Sequence, residues 1–448
     1  MRKVLLFCMA VLMSSCNRNL HETAFTDVED VVVEAGAIPV SEALQTLDSF
    51  MQEGATKANG ATERRIKSVE THYKTVESKA GTYRIPDAYI VQYEDAQGFA
   101  VLGATHDVDN IVAVIEKGTI DAKTLKVSSE GGDTELSLFV AEMIKNGLEG
   151  GRRGEDGDGG EGGEGGDGGE GGGESGDDDQ EHDDSVGDPN HHEPGSGGAG
   201  SGSTYATRLP MLNFSWGQTA PYNEHCLYPL GLGNSVATGC STTAMAMIMA
   251  GLGFPQTMII NGTLLDWSEM TSYYNLYGPN GSDAAKSQTA LLMGSIFNFV
   301  SPAPVVLDGT LVLPLAIKNL MQDYGFVNVT KMSGSSLNND MVAAISNMLR
   351  YNKPVFISAV PSLYLSHSHS WVIDGAKYSS STYLLHCNFG WQGTCNGYFS
   401  RSCLNPSQGY EYDYNYTYNP DDDHTYNWHF RVITYDLPAY PYSLTVSY

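Results

Sequence analysis

One cysteine in this sequence has the setting that a thiol nucleophile requires. Cys240 follows Gly239 and opens a run of helix-forming residues, 241–250, which Gly251 and Gly253 close. The first turn of a helix offers unpaired backbone N–H groups and the positive end of the helix dipole, which stabilise an anion. That setting lowers the pKa of a thiol and favours the nucleophilic thiolate. Taken alone, however, the pattern favours a buried cysteine before a core helix.

Two later segments supply the partners that a catalytic thiolate needs. His369 begins the β-prone segment HSWVIDG (369–375), and Asn388 ends another one. A cysteine nucleophile needs a base, and the base needs a partner that fixes its ring. The oxyanion of the tetrahedral intermediate needs preorganised donors, and the backbone N–H of Cys240 can be one of them. We therefore predict Cys240 as nucleophile, His369 as base and Asn388 as the residue that holds the imidazole.

These segments fit a known pattern in four separate blocks. The blocks are ATGC with Thr243-Ala244 around the nucleophile, His369 with Val372-Ile373-Asp374-Gly375, Asn388 with Gly390, Trp391 and Gly393, and Trp216-Gly217-Gln218 with Pro221-Tyr222-Asn223 upstream. In this order they resemble the streptopain family of papain-like cysteine peptidases. The segment 98–121 is similar to the central block of that family's propeptide.

The resemblance implies a papain-like α+β fold in two halves. A helical half would carry the nucleophile and an antiparallel sheet half the histidine, and an α+β prodomain would precede both. It makes Gln218 the side-chain donor to the oxyanion, with Gly239, Phe389 and Trp391 shaping the site. It implies protein or peptide substrates, an inhibitory prodomain that acts within the chain, and no cofactor or metal. The sequence departs from the family pattern at Ser368, at Phe389 and in the tyrosine-rich segment 409–428.

Composition divides the chain into four parts. Residues 1–16 form a leader, 17–146 a prodomain, 147–203 a linker and 204–448 the catalytic domain. The linker is rich in Gly, Asp and Glu and has almost no apolar side chains, so we expect a disordered tether. Between residues 149 and 193 it holds about 17 acids against two arginines, roughly half of the net charge of -28. That acidic balance argues against nucleic acid as a partner.

The leader predicts export. Arg2 and Lys3 precede a short apolar run that ends in Met-Ser-Ser-Cys, which resembles a bacterial lipobox and implies lipidation of Cys16. An ordinary secretory signal stays open as the alternative. In either case the protein is exported from the cytoplasm to a compartment where disulfides can form. The pairing among Cys226, Cys387, Cys395 and Cys403 stays open. The lipidated form would be a cell-envelope protein held to a membrane.

Local patterns predict the secondary structure. We expect helices at 41–51, 134–145, 241–250, 284–299, 313–324 and 339–351, and strands at 89–93, 99–102, 354–360, 370–373, 383–389, 397–400 and 429–435. Helices before strands in the second half favour α+β. His106 is expected in a surface loop.

Three functions follow from these patterns. The first is an exported cysteine endopeptidase made as a zymogen and activated by cleavage in 147–205. Lys145 and Arg152-Arg153 are candidate sites for an activating protease, and 203–208 for self-cleavage. The second is a related Cys–His amidase or transferase. The third is an inactive surface binding module, against which the intact set Cys240, His369, Asn388 and Gln218 argues.

Overall fold

The computed structural model describes residues 37–55, 64–78, 81–128, 134–149, 207–227, 235–300, 305–306, 309–310, 314–361, 368–379, 382–404 and 428–448. The leader with Cys16, most of the tether and most of the segment 409–428 lie outside these ranges. The predictions made for them stay predictions.

Seven helices occur in the described ranges. They are α1 (Val40–Ala55), α2 (Thr134–Glu149), α3 (Cys240–Leu252), α4 (Trp267–Thr271), α5 (Asp283–Val300), α6 (Pro314–Asp323) and α7 (Asn339–Arg350). All six predicted helices are confirmed within a few residues. Helix α2 runs three residues past the predicted domain boundary at 146, because Leu148 is apolar and buried.

The strands are β1 (Ile66–Ser78), β2 (Gly81–Tyr93), β3 (Phe99–Gly103), β4 (Ala113–Ile115), β5 (Thr119–Ile120), β6 (Val127–Ser128), β7 (Thr257–Ile260), β8 (Thr263–Leu264), β9 (Val305–Val306), β10 (Gly309–Thr310), β11 (Val327–Gly334), β12 (Val355–Pro361), β13 (His369–Ser379), β14 (Thr382–Asn388), β15 (Gly397–Ser400), β16 (Trp428–Asp436) and β17 (Ser443–Val446). The predicted strands are all present. Strands β2 and β3 pair as a hairpin through the 3-10 turn Glu94–Ala96. His106 lies exposed in a turn, as expected.

Ten strands form one antiparallel sheet that runs through both halves of the chain. Their order is β1-β2-β3-β4-β15-β14-β13-β12-β16-β11. The first four strands come from the N-terminal region (37–149) and the other six from the C-terminal region (207–448). The two regions therefore share a sheet rather than touching only through side chains.

The junction between the regions is the pairing of β4 with β15. Val114 lies opposite Tyr398 in this ladder. One further hydrogen bond extends the ladder, from Ser400 N–H to the Val112 carbonyl at 2.8 Å. A side chain at Gly397 would meet the backbone of β4, because a Cβ there would lie 2.2 Å from the Val114 carbonyl oxygen. The close approach of these strands therefore depends on a glycine.

Each face of the N-terminal strands packs against a different helix. Ala88 and Ile90 of β2 join the large core that contains α2, whereas Tyr89 and Val91 face a smaller core with α1. This alternation follows from the two-residue period of a strand. Helix α2 consequently lies on the same side of the sheet as α3, the helix that begins at Cys240.

Candidate active site

Cys240 is the first residue of α3, where the backbone geometry is set by glycines. Gly239 has φ 82°, a conformation that side chains rarely adopt, and Gly253 closes the helix in the left-handed conformation at φ 59°. Residues 241–250 are all buried, so α3 is a core helix apolar on every side. A rigid helix of this kind fixes the position of the thiol at its start.

Gln218 is connected directly to the segment before Cys240. Its backbone carbonyl accepts the N–H of Thr238 at 2.9 Å. Its side chain is 5% exposed, and Nε2 has no hydrogen-bond partner among the residues that the structure describes. A buried amide donor without a partner is costly, so it suits a group that donates to a substrate oxygen.

His369 begins β13 and is enclosed by aromatic rings. Its ring centroid lies 6.1 Å from that of Trp371, in stacked orientation, and 5.8 Å from that of Phe389. The third ring belongs to Phe139 of α2, whose centroid lies 5.3 Å away. His369 Nε2 lies 3.1 Å from the Phe389 carbonyl oxygen. The N-terminal region therefore covers the imidazole with an apolar ring.

A pair of serines joins the element of Cys240 to that of His369. Ser241 follows the cysteine, Ser370 follows the histidine, and their hydroxyl oxygens lie 2.8 Å apart. This contact brings the start of α3 and the start of β13 together. The two residues predicted to react therefore occupy adjoining positions in the fold.

Cys240 is half-buried and His369 is buried, and the loss of hydration leaves both the thiol and the imidazole uncharged near neutral pH. Desolvation raises the pKa of Cys240, against the opposing effect of hydrogen bonds from Ser370 and Ser241. Burial also lowers the pKa of His369 to about 4, although the Phe389 carbonyl opposes this. The helix start predicts a depressed thiol pKa, but loss of hydration has the larger effect here. In this state the predicted thiolate–imidazolium pair is replaced by two neutral groups.

Asn388 occupies a different position in the hydrogen-bond network from the one predicted. Its Nδ2 donates to the Phe214 carbonyl at 3.0 Å, and its Oδ1 accepts from the Ser215 hydroxyl at 2.8 Å and from Gly390 N–H at 3.3 Å. The predicted contact with the His369 ring is made here by the backbone carbonyl of Phe389, the next residue. Asn388 thus fixes the segment at 214–215 to the end of β14.

The Ser215 hydroxyl is the centre of that network, which gives a prediction for stability. It also accepts from Gly393 N–H at 2.9 Å and from Asn396 Nδ2 at 3.3 Å. We expect Ser215→Ala to lower the free energy of unfolding by about 1–3 kcal/mol, because buried donors lose their partner. Denaturant unfolding in a Cys240→Ala background, which prevents self-digestion, measures the change.

The control for that measurement is Ser49→Ala. Ser49 is exposed on α1 and donates only to the Gln45 carbonyl of the same helix. It should change stability by less than about 0.5 kcal/mol. Equal effects of the two variants would contradict a special role for the Ser215 network.

Three predicted site-shaping residues lie around these groups. Phe389 is fully buried against His369 and Trp371. Trp391 is half-buried, and its Nε1 has no partner among the described residues. Gly239 provides the positive φ before Cys240. Phe139 was missed, because an amphipathic pattern identifies α2 as a helix but not the surface that it covers.

A buried charge network also joins the two regions. His386 Nδ1 lies 2.6 Å from Asp374 Oδ1, and its Nε2 lies 3.3 Å from Oε1 of Glu116, which directly follows β4. Burial opposes charge on this ring, but Asp374 and then Glu116 raise the pKa of His386 to about 10. The network was not predicted, because its members are distant in sequence.

The four cysteines whose pairing was left open are free, buried thiols. They are Cys226, Cys387, Cys395 and Cys403. Burial raises the pKa of each of them. In the described ranges no group of three or more His, Cys, Asp or Glu side chains could hold a metal ion, and no helix there is long and apolar enough to cross a membrane.

Comparison with known proteins finds a family similar to the C-terminal region. Residues 216–399 match the model of the Peptidase C10 family, and this segment contains Gln218, Cys240, His369 and Asn388. This part of the chain is therefore similar to a family of cysteine peptidases, the streptopain family, which is the family that the sequence blocks resemble. The predicted α+β class is confirmed, with Cys240 at the start of helix α3 and His369 on the antiparallel sheet.

Individual relatives are distant. Streptopain of Streptococcus pyogenes is 26% identical over 198 residues, which cover 39% of this chain and 48% of streptopain. The thiol protease/hemagglutinin PrtT of Porphyromonas gingivalis is 27% identical over 213 residues, covering 43% of this chain and 23% of PrtT. The chain thus spans about half or less of the length of these curated relatives.

Two solved structures from Prevotella intermedia are also similar. A prointerpain A fragment matches with 18% identity and a TM-score of 0.47, covering 81% of this chain and 98% of the fragment. Active interpain A matches with 21% identity and a TM-score of 0.39, covering 51% of this chain and 95% of its own.

Proposed function

We propose that this protein is an exported cysteine endopeptidase made as a zymogen. The observation that carries the proposal is the 2.8 Å contact between the hydroxyls of Ser241 and Ser370, because it places Cys240 and His369 at adjoining element starts. Peptide hydrolysis needs a nucleophile and a base in such a position. The buried, unpartnered Gln218 amide supports the same reaction.

The reaction proceeds through an acyl-enzyme. The Cys240 thiolate attacks the peptide carbonyl, and the backbone N–H of Cys240 and the Gln218 amide donate to the resulting oxyanion. The carbonyl re-forms, the C–N bond breaks, and protonated His369 gives its proton to the leaving amine. Water, deprotonated by His369, then hydrolyses the thioester. Asn388 supports this geometry by holding the backbone around the base.

The N-terminal region acts as the inhibitory prodomain in this proposal. Phe139 of α2 packs on His369, on Trp371 at 5.4 Å and on Phe389 at 6.1 Å between ring centroids. This packing keeps water from the site, and the desolvated thiol and imidazole stay neutral. Removal of α2 would return hydration, so the Cys240 pKa would fall, the His369 pKa would rise, and a proton could pass from sulfur to nitrogen.

The start of the catalytic domain limits where activating cleavage can occur. Arg208 pairs with Ala376 of β13 through bonds of 2.6 and 2.7 Å, and Leu212 N–H donates to Asp374 Oδ2 at 3.0 Å. Lys145 lies within α2 and pairs with Glu142. Cleavage at either place would first require local unfolding, so we place the cut within 150–206, at Arg152-Arg153 by a partner protease or before 207 by the enzyme itself.

The predicted anchor adds a consequence for localisation. Lipidated Cys16 would be on the prodomain side of the cut, and the catalytic domain on the other side. Processing would then free the catalytic domain from the cell envelope. N-terminal sequencing of the active species, with a test for the lipid, decides this, because an active form that keeps the lipid would contradict release.

Hydrolysis of a denatured protein tests the proposed function. We expect the processed enzyme to cleave it, a thiol alkylator to stop cleavage, and Cys240→Ala to have no activity above background. Cleavage of small amides but not of proteins would instead identify an amidase or transferase. Unchanged cleavage by Cys240→Ala would overturn the mechanism, and no cleavage by the processed wild type would favour a binding module.

A further inference from the structure

Two buried hydroxyls flank the reacting residues and have no assigned role. Ser241 is 2% exposed and Ser370 is 4% exposed, and their oxygens are 2.8 Å apart. One lies on α3 and the other on β13, each directly after the residue proposed to react. An alanine pair at these positions would remove two buried polar groups at little cost in stability. The presence of two hydroxyls therefore calls for a use beyond packing.

The protons of the pair leave one donor free. Each hydroxyl carries one hydrogen, and one of the two hydrogens lies between the oxygens. The other hydrogen can be donated elsewhere, and the donating hydroxyl is polarised by the bond that it accepts. The nearby acceptor is the Cys240 sulfur, because Ser241 directly follows Cys240 on α3 and the Ser370 hydroxyl lies 2.8 Å from that of Ser241. Hydrogen bonding by both serines also lowers the pKa of this thiol, against the larger effect of burial. The pair thus forms a short relay that ends on sulfur.

Resting on the function proposed above, we propose that the Ser241–Ser370 pair is a positioning element that holds the Cys240 sulfur and donates one O–H bond to its thiolate. It links the nucleophile's helix to the base's strand, so both the place and the charge of the sulfur depend on it. A hydroxyl donor favours the charged form of its acceptor.

Few other charged groups lie near Cys240 that could change the pKa of its thiol. The segment 235–243 contains no acid or base besides Cys240 itself, and His369 is the titratable residue next to Ser370 on β13. Helix α2 carries Glu142 one turn from Phe139, and Glu142 pairs with Lys145. After processing and removal of the N-terminal region, the titration of Cys240 is governed mainly by His369, the helix start and the serine pair.

The test measures the reactivity of Cys240 rather than peptidase activity alone. The full chain is processed and freed of its N-terminal region, and the rate of alkylation by iodoacetamide is followed from pH 4 to 9 in wild type, Ser370→Ala, Ser241→Ala and Ser370→Thr. In the plot of alkylation rate against pH, we expect each alanine variant to shift the acid limb toward higher pH by roughly half to one unit. The rate at pH 5 should fall about three- to tenfold. Ser370→Thr, which keeps the hydroxyl, should restore the wild-type profile.

The double variant and a matched control separate a relay from a packing effect. Ser241→Ala with Ser370→Ala should shift the limb further than either single change, because the serine left in each single variant can still donate to the sulfur. Ser295→Ala removes an equally buried hydroxyl that lies 2.7 Å from the Tyr324 hydroxyl, away from the site. It should lower thermal stability and leave the profile unchanged.

The test can contradict the serine relay and the proposed endopeptidase function separately, because the two ideas fail with different results. An unchanged acid limb in properly folded Ser370→Ala overturns the relay, even where peptidase activity persists. A shifted limb in an enzyme that cleaves no peptide keeps the relay and overturns the endopeptidase. If Ser241→Ala does not fold, the comparison of Ser370→Ala with Ser370→Thr decides alone.

Discussion

Cys240 of the unprocessed chain is expected to react with iodoacetamide at pH 7 at least about a hundredfold more slowly than Cys240 of the processed enzyme. The thiolate is the reactive species, and each unit by which a pKa lies above the pH lowers its fraction tenfold. Burial raises the pKa of this thiol and lowers that of His369 to about 4, so the zymogen holds neither charge. Quenching the alkylation at set times and quantifying the modified Cys240 peptide by mass spectrometry measures the two rates.

Phe139→Ala tests the cause of that latency. The variant removes the ring that packs on His369 at 5.3 Å, so the unprocessed chain should react faster than the wild-type zymogen. Leu47→Ala is the control, because Leu47 is a buried apolar side chain on α1, on the other face of the sheet. Both variants lose stability, but only the first should speed alkylation. Equal rates in the two variants would show that latency does not depend on Phe139.

His369→Ala in the processed enzyme is expected to lower kcat by at least about a thousandfold. The variant loses the base that forms the ion pair and the acid that protonates the leaving amine. Wild-type activity should fall in acid as the thiolate is protonated, and in alkali as His369 loses its proton. The alkaline fall should be absent from the residual activity of the variant. Steady-state kinetics across pH measure both effects.

His429→Ala is the control for the loss of an imidazole. His429 is exposed on β16 of the C-terminal region, so the processed enzyme retains it, and its loss should leave kcat unchanged. A His369→Ala enzyme that retains more than about a tenth of wild-type kcat would rule out His369 as the base, since a general base contributes at least about a hundredfold.

Local sequence patterns were sufficient for most elements and for the site segments. The start of α3 at Cys240, the start of β13 at His369 and the end of β14 at Asn388 all agree with the prediction. Glycine positions, apolar periodicity and β-branched runs are local signals, so they can be read without knowledge of the fold. The matching of four blocks in order then predicted which residues share one site.

Contacts between distant segments could not be read in this way. The pairing of β4 with β15 depends on which two edges meet, and a strand pattern does not encode its neighbour. Strands β1 and β11 were missed because their polar alternation is typical of exposed edges. The pKa of Cys240 also failed as a local prediction, because the desolvation that raises it comes from tertiary packing.

The shared sheet changes what a cut in the tether accomplishes. The ladder between β4 and β15, the Glu116 contact with His386 and the bond from Lys377 Nζ to the Phe50 carbonyl at 3.0 Å all remain when a peptide bond in 150–206 is broken. If the N-terminal region is the proposed inhibitor, cleavage converts it into a bound fragment that leaves by dissociation. Dilution then governs activation, and a processed sample should gain activity as its concentration is lowered.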